Sequence, residues 1–264
     1  MHPYYFGDSK KLLFGAYHPP HSQGTKNTGV IVCYPVAQEY IRAYRAIRQL
    51  AVQLSRAGFH TMRFDYYGTG DSYGDDTESS LSEWKANIHT AIDELKDSSG
   101  VRKVCLIGLR LGAALAAAVS IRRADVADVV FWDPVVNGGH YLEGQKTLYQ
   151  LMLADRSLFP VPRKPSASDE ILGFSFSGKL RNEISQINLL QGRICEAKSI
   201  FLIVSEQRDE YSHLCDSLNA SGTHVHYRVV NGPGEWDRAE KIEIELMPAE
   251  IIQTITHEIG KELR

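Results

Sequence analysis

The sequence predicts an α/β fold, a mostly parallel, doubly wound sheet with a short helical cap. Three observations predict it. Short runs rich in Val, Ile and Leu are separated by helical segments, as expected of strands buried on both faces. Strand and helix alternate at the pitch of parallel strands joined by crossover helices. In addition, Val104-Cys105-Leu106-Ile107 leads through Gly108-Leu109-Arg110-Leu111-Gly112 into Ala113–Ala118, which reads as a strand, a tight glycine turn and a helix in immediate succession.

The elements follow in order. Leu12–Tyr17 reads as an early strand, and Gly29–Tyr34 as a buried one bounded by Gly29 and Pro35. Tyr40–Ala57 is helical, with Tyr44, Ile47, Ala51 and Leu54 at helical spacing. Arg42, Arg45, Gln49 and Arg56 fall largely off that face and predict a solvated side. Gly58 closes the helix, and His60–Asp65 is the next strand. Ser80-Leu81-Ser82-Glu83 has capping-box spacing and predicts a helix to about Lys96. Strand Val104–Ile107, helix Leu111–Arg123 and strand Asp128–Trp132 complete the first half. From Asn137 to Gly192 the pattern loosens around Pro160, Pro162 and Pro165, too long for an ordinary loop, and predicts a helical cap. Alternation resumes with strand Ile200–Val204, helix Tyr211–Leu218, strand His224–Val230 and helix Ala249–Glu262. The core is therefore expected over 1–136 and 193–264, with 137–192 as a cap insertion.

Composition narrows the function classes. A chain of 264 residues, 43% hydrophobic and 23% charged with net charge −3, is ordinary for one globular domain. It predicts neither a nucleic-acid partner nor an anionic membrane surface. No apolar run is long enough to span a bilayer, and the N-terminus lacks the pattern of a signal peptide. Cys33, Cys105, Cys195 and Cys215 form no C-x-x-C pair and predict free thiols in a reducing, cytoplasmic setting. A homodimer is left open.

Further motifs carry the reading to a family. Tyr17-His18-Pro19-Pro20 and Cys33-Tyr34-Pro35 mark an early strand and the turn after it. Arg63-Phe64-Asp65-Tyr66-Tyr67-Gly68-Thr69-Gly70-Asp71-Ser72 follows the next strand, the elbow spans Gly108–Gly112, and Trp132-Asp133-Pro134 closes another strand. In these segments the chain resembles the α/β-hydrolase superfamily, and within it the serine aminopeptidase-like branch that includes bacterial hydrolases associated with exosortase systems. The resemblance is strong from Tyr4 to Pro134, weak through the cap and moderate from Ile200 to Asp237. It implies an ester, thioester or amide hydrolase with serine, acid and histidine in chain order.

Two of those three residues are replaced. Arg110 stands at the serine position, and a guanidinium cannot attack a carbonyl. The turn expected to hold histidine reads Gly232-Pro233-Gly234-Glu235-Trp236-Asp237, with Glu235 in the matching place. Asp133 and Asp209 are the candidate acids. An arginine and a glutamate at positions that normally lie within hydrogen-bond reach predict a salt bridge, Arg110–Glu235. The elbow backbone keeps its own capacity: the N–H groups of Leu111 and Val36 stand at the family's oxyanion-hole positions, and a helix N-terminus favours anions. Tyr66 and Tyr67 are candidates for the pocket mouth, and His140 for a base at the cap entry. Ser72 reads as part of a structural glycine turn, whose spacing does not suit a dinucleotide. Cys33 should face the sheet's surroundings. His224 and His226 share a strand face, but no third ligand is evident, so neither metal nor cofactor is expected.

Three functions follow: a non-hydrolytic homologue binding a small acyl or anionic ligand or a protein partner; an enzyme of lyase, cyclase or acyl-transfer type using Arg110 and a carboxylate; or a hydrolase with a displaced triad. The pocket is expected around Arg110, Glu235, Asp133 and the Val36 turn.

Overall fold

The computed structural model describes residues 1–21, 25–155, 161, 169–232, 234, 236 and 246–263. One eight-stranded sheet organises them: β1 (His2–Phe6), β2 (Leu13–His18), β3 (Thr28–Cys33), β4 (His60–Phe64), β5 (Lys103–Leu109), β6 (Val126–Trp132), β9 (Ser199–Val204) and β10 (His224–Val229). The spatial order is β1-β2-β4-β3-β5-β6-β9-β10. β1 and β2 pair antiparallel, β2 joins β4 antiparallel, and the six strands from β4 to β10 are parallel. The mostly parallel, doubly wound sheet read from the sequence is the sheet observed.

Helices cover both faces because the central strands are apolar on both. β3 is buried along its whole length, and β5 is buried everywhere except Lys103. α1 (Ala37–Arg56) and α7 (Ala249–Glu262) pack together on one side, α2 (Leu81–Ser99) and α3 (Leu111–Ser120) on the other. α6 (Asp209–Ala220) packs on β10. α2 starts where the serine cap places it: the Ser80 hydroxyl accepts from the Glu83 N–H at 3.2 Å. It ends at Gly100, in the left-handed conformation with φ +76°.

The segment between β6 and β9 contains α4 (Gly138–Ala154), a two-stranded hairpin of β7 (Glu170–Ile171) and β8 (Phe174–Ser175), and α5 (Gly178–Ser185). The hairpin was not anticipated by a purely helical cap; two residues per strand carry no alternation to read. Pro160, Pro162 and Pro165 lie outside the described residues.

Three local expectations are corrected. β1 was not evident, because it is an edge strand exposed along most of its length and its apolar pattern is weak. α3 ends at Ser120, not Arg123. Arg42 does not lie on a solvated face. It is 2% exposed and donates to the Trp236 carbonyl at 2.9 Å, because the chain after β10 returns over that side of α1.

Several sequence candidates have structural roles. The Ser72 hydroxyl donates to the Asp65 carbonyl (2.6 Å) and accepts the Phe14 N–H (2.8 Å), tying the glycine loop to β2. Cys33 is fully buried, and burial pushes its thiol up to about 12, which keeps it protonated at neutral pH. His226 stacks on Phe201 at 4.6 Å.

Asp128, on β6, yields a pH-dependent prediction. It is 4% exposed, and burial raises its carboxyl from 3.8 to about 6 against the pull of Lys198 and Lys103. The folded value exceeds the unfolded one, so ionisation opposes folding. The cost is absent below about pH 4, grows as pH rises toward 6 and is complete above it. Asp128→Asn is expected to be more stable than wild type at pH 8 by about 1 kcal/mol, with the gain vanishing at pH 3.5. Urea unfolding at the two pH values checks this, and an equal gain at both would disprove it.

Candidate functional site

The site lies at the topological switch of the sheet. From β3 the chain winds one way through α1 to β4, then crosses back through α2 to β5 on the other side of β3. Ligand clefts of open α/β sheets form at the carboxyl ends of strands where this reversal occurs. Here those ends are the Tyr34–Ala37 turn after β3 and Arg110 after β5.

Arg110 has the strained backbone of a nucleophile elbow, with φ +55° and ψ −117°. Such conformations cost non-glycine residues about 1–3 kcal/mol and persist where their surroundings over-determine them. The Arg110 N–H donates to the Trp132 carbonyl at 3.0 Å, and its own carbonyl accepts from Ala113 (3.1 Å) and Val135 (3.2 Å). The flanking glycines are required by contact. A Cβ on Gly112 would stand 2.3 Å from the Cys33 carbonyl oxygen, and one on Gly108 2.4 Å from the Ala113 Cα. α3 can therefore start directly against the end of β3 only with these two glycines in place.

The Arg110 side chain is buried, with 7% of the residue exposed. Its Nε donates to Glu39 Oε1 at 3.0 Å, and its Nη1 to the Asp133 carbonyl at 3.3 Å. Glu39, 1% exposed, sits in the first turn of α1, where a carboxylate is favoured by the helix dipole. Its carboxylate also accepts from Tyr141 Oη (3.5 Å) and Gln145 Nε2 (3.4 Å), both on α4. The guanidinium lies 5.9 Å from the centre of the Tyr141 ring. Two charges out of water are tolerable only with good geometry and further hydrogen bonds, and this cluster supplies both.

Asp133 is also fully enclosed, with φ +42°. Oδ1 accepts from the Ser205 N–H (2.7 Å) and hydroxyl (3.0 Å), and Oδ2 from Trp236 Nε1 at 2.9 Å. Burial raises its carboxyl, while Trp236, Ser205 and Arg110 pull the other way. An indole N–H is a donor only, so Asp133 Oδ2 is held here by a group that cannot accept a proton. Trp236 packs edge-on against Trp132 at 6.3 Å, and its carbonyl accepts from Arg42.

The sequence-derived candidates divide accordingly. Arg110, Asp133, Val36 and Leu111 meet at the strand ends. Asp209 does not join them: it is exposed at the first turn of α6. Tyr66 is buried beneath the glycine loop, its hydroxyl on the Tyr34 carbonyl (3.3 Å) and its ring on Trp84, so it is no pocket mouth. His140 is exposed; with Arg110 and Gln145 it borders a small polar cavity of about 110 Å³. Glu235, and with it the Arg110–Glu235 pair, lies outside the described residues. Glu39, Tyr141, Gln145 and Ser205 were missed. For Glu39 the available signal was an acid three residues after the Val36 turn, in the first turn of the following helix.

A second, apolar cavity of about 230 Å³ opens beside the Val36–Ala37 turn. Tyr40, Trp84, Phe174, Phe176 and Leu180 line it, between the glycine loop and the β8–α5 segment. Neither Arg110 nor Asp133 reaches it, so the expected single pocket is split in two. Among the described residues no group of three or more His, Cys, Asp or Glu is arranged to hold a metal, and no helix is long and apolar enough to cross a membrane.

The profile of the hydrolase family "Serine aminopeptidase, S33" matches residues 26–167, just over half of the chain. The chain belongs to this family. It is 32% identical over 121 residues to an uncharacterized Mycobacterium tuberculosis protein, covering 45% of this chain and 41% of the relative. It is 35% identical over 98 residues to an acyl transferase of Photobacterium phosphoreum, covering 37% and 31%. The chain thus spans about two fifths or less of the length of these curated relatives. Among solved structures it is similar to Est1E from Butyrivibrio proteoclasticus bound to ferulic acid (TM-score 0.67, 14% identity, 98% and 97% covered). It is also similar to an AqdC variant with the Pseudomonas quinolone signal, whose ring it cleaves (TM-score 0.62, 17% identity, 99% of both chains). At such identities the likeness shows the α/β-hydrolase fold.

Breaking the buried pair from one side leaves an unpaired charge. Arg110→Met or Glu39→Gln is expected to cost about 3–5 kcal/mol, and Arg110→Met/Glu39→Leu about 1 kcal/mol or less. Urea unfolding of the cycle measures this, and single variants within 0.5 kcal/mol of wild type would be incompatible with the pair. Trp236→Phe strips Asp133 Oδ2 of its donor and is expected to cost about 1–3 kcal/mol. An unchanged melting temperature would show that the indole N–H does not hold the carboxylate.

Proposed function

We propose that this chain is a non-hydrolytic member of its family that binds a small acyl or aromatic ligand in the apolar cavity beside the Val36 turn. The observation that carries this reading is the side chain at the elbow. Arg110 offers no nucleophile, and its guanidinium is engaged by Glu39 in a buried cluster. The carboxylate best placed to serve a catalytic histidine, Asp133, is spent on Trp236 and Ser205. An anionic ligand at Arg110 is disfavoured for the same reason, since it would have to displace Glu39. Relatives with this fold that handle acyl groups or aromatic rings support the ligand class.

A second reading, an enzyme with non-serine chemistry, is favoured by the retained strain at Arg110. With that backbone Leu111 opens α3, and its N–H at the helix start would serve a developing oxyanion. The ring-cleaving relative shows that the fold carries chemistry other than ester hydrolysis.

The test is hydrolysis of p-nitrophenyl acetate, butyrate and octanoate, together with labelling by a fluorophosphonate. Wild type is expected to fall at least ~10⁴-fold short of a triad-bearing hydrolase and to take no label. Labelling of a serine, or wild-type ester turnover at the level of a triad-bearing hydrolase, would overturn the proposal.

A further inference from the structure

Among the described residues the polar side chains around the apolar cavity are satisfied within the protein, with one exception. Tyr40 Oη donates to Asp65 Oδ1 (2.9 Å), Thr69 Oγ1 to the Tyr66 carbonyl (2.8 Å) and Trp84 Nε1 to the Tyr67 carbonyl (3.2 Å). The Asp76 carboxylate accepts from the Ser175 N–H (3.0 Å) and hydroxyl (2.9 Å). Ser79 is the exception. It lines the cavity, is 4% exposed, and its hydroxyl has no partner among the described residues. Buried hydroxyls are almost always paired. Several other buried side-chain polar atoms among the described residues also lack a partner, and Ser79 is the one of them that lines this cavity, where a ligand can supply the acceptor.

The rest of the lining describes that partner. Among the described residues no Lys, Arg or His borders the cavity, and the one charged residue there is the acid Asp76. Among these residues a carboxylate or phosphate finds no cationic side chain and one like charge, against the weaker pull of the α1 N-terminus at Val36–Ala37. Aromatic side chains from α1, α2 and the β8–α5 segment line it and suit an apolar, aromatic body. An apolar cavity of about 150 Å³ takes up benzene; 230 Å³ suits a ring with a short substituent.

We propose that Ser79 is the specificity-determining residue of this cavity, donating a hydrogen bond to the carbonyl oxygen of a neutral aromatic ligand. This rests on the reading that the cavity is the ligand site. The Ser79 Oγ has no exposed surface of its own, so it meets the ligand by rotating about χ1. Selection is then by an uncharged oxygen: the carbonyl compound is retained, its hydrocarbon isostere binds more weakly, and its carboxylate counterpart is refused.

The experiment is calorimetric titration of the full chain with acetophenone, ethylbenzene and benzoate, which share a ring and nearly a shape. Acetophenone is expected to bind about 10-fold more tightly than ethylbenzene, and benzoate not measurably. Ser79→Ala is expected to bring acetophenone down to the level of ethylbenzene while leaving ethylbenzene unchanged. Leu180→Trp, which fills the cavity from the α5 side, is expected to lose both. If Ser79→Ala does not fold, Ser79→Cys, with its weaker donor, is expected to give an intermediate ratio. A preference unaltered by either Ser79 variant, benzoate as the tightest ligand, or no binding by any of the three overturns the proposal. Turnover of phenyl acetate by wild type, measured alongside, would instead defeat the non-hydrolytic reading and leave the Ser79 selectivity standing.

Discussion

A guanidinium carried out of water at the end of β5 requires a carboxylate beside it, and Glu39 on α1 supplies one. The pair joins three parts of the molecule. Arg110 is fixed by the elbow, Glu39 by the first turn of α1, and Tyr141 and Gln145 bring α4 down onto the same carboxylate. Each contact adds a hydrogen bond that offsets the desolvation of the two charges. The same elbow is held from below by Gly112, whose missing side chain lets α3 begin against the carbonyls of Cys33 and Tyr34. The strained backbone and the buried charge thus occupy one residue, and the surrounding elements secure both.

Around this centre the strained elbow backbone carries a buried cation, Arg110, paired with Glu39. The Asp133 carboxylate accepts from an indole, a backbone amide and a hydroxyl, so it anchors Trp236, after β10, to the end of β9. Arg42 reinforces that anchor from α1. The apolar cavity lies between the glycine loop and the β8–α5 segment, and neither Arg110 nor Glu39 lines it.

Much of this architecture is legible in the sequence, for local reasons. β3 and β5 are continuous apolar runs between turn residues, α2 carries its own serine cap and glycine stop, and α7 begins and ends where its periodicity places it. β1 and the β7–β8 hairpin were not legible, the first being an exposed edge and the second having only two residues per strand. Arg42 was misplaced because helical periodicity describes one helix, while its burial depends on a chain segment nearly 200 residues later.

The sequence by itself determined the fold and the elbow, because alternating apolar strands, helical spacing and the two glycines around Arg110 are constraints between near neighbours. It also determined that the central residue of that elbow is no nucleophile. Only the tertiary structure decided what Arg110 and Asp133 do instead. Glu39 lies 71 positions from Arg110, and Ser205 and Trp236 lie 72 and 103 positions from Asp133. Partners chosen across such separations are set by how the sheet and helices pack, and no local pattern in the chain records them.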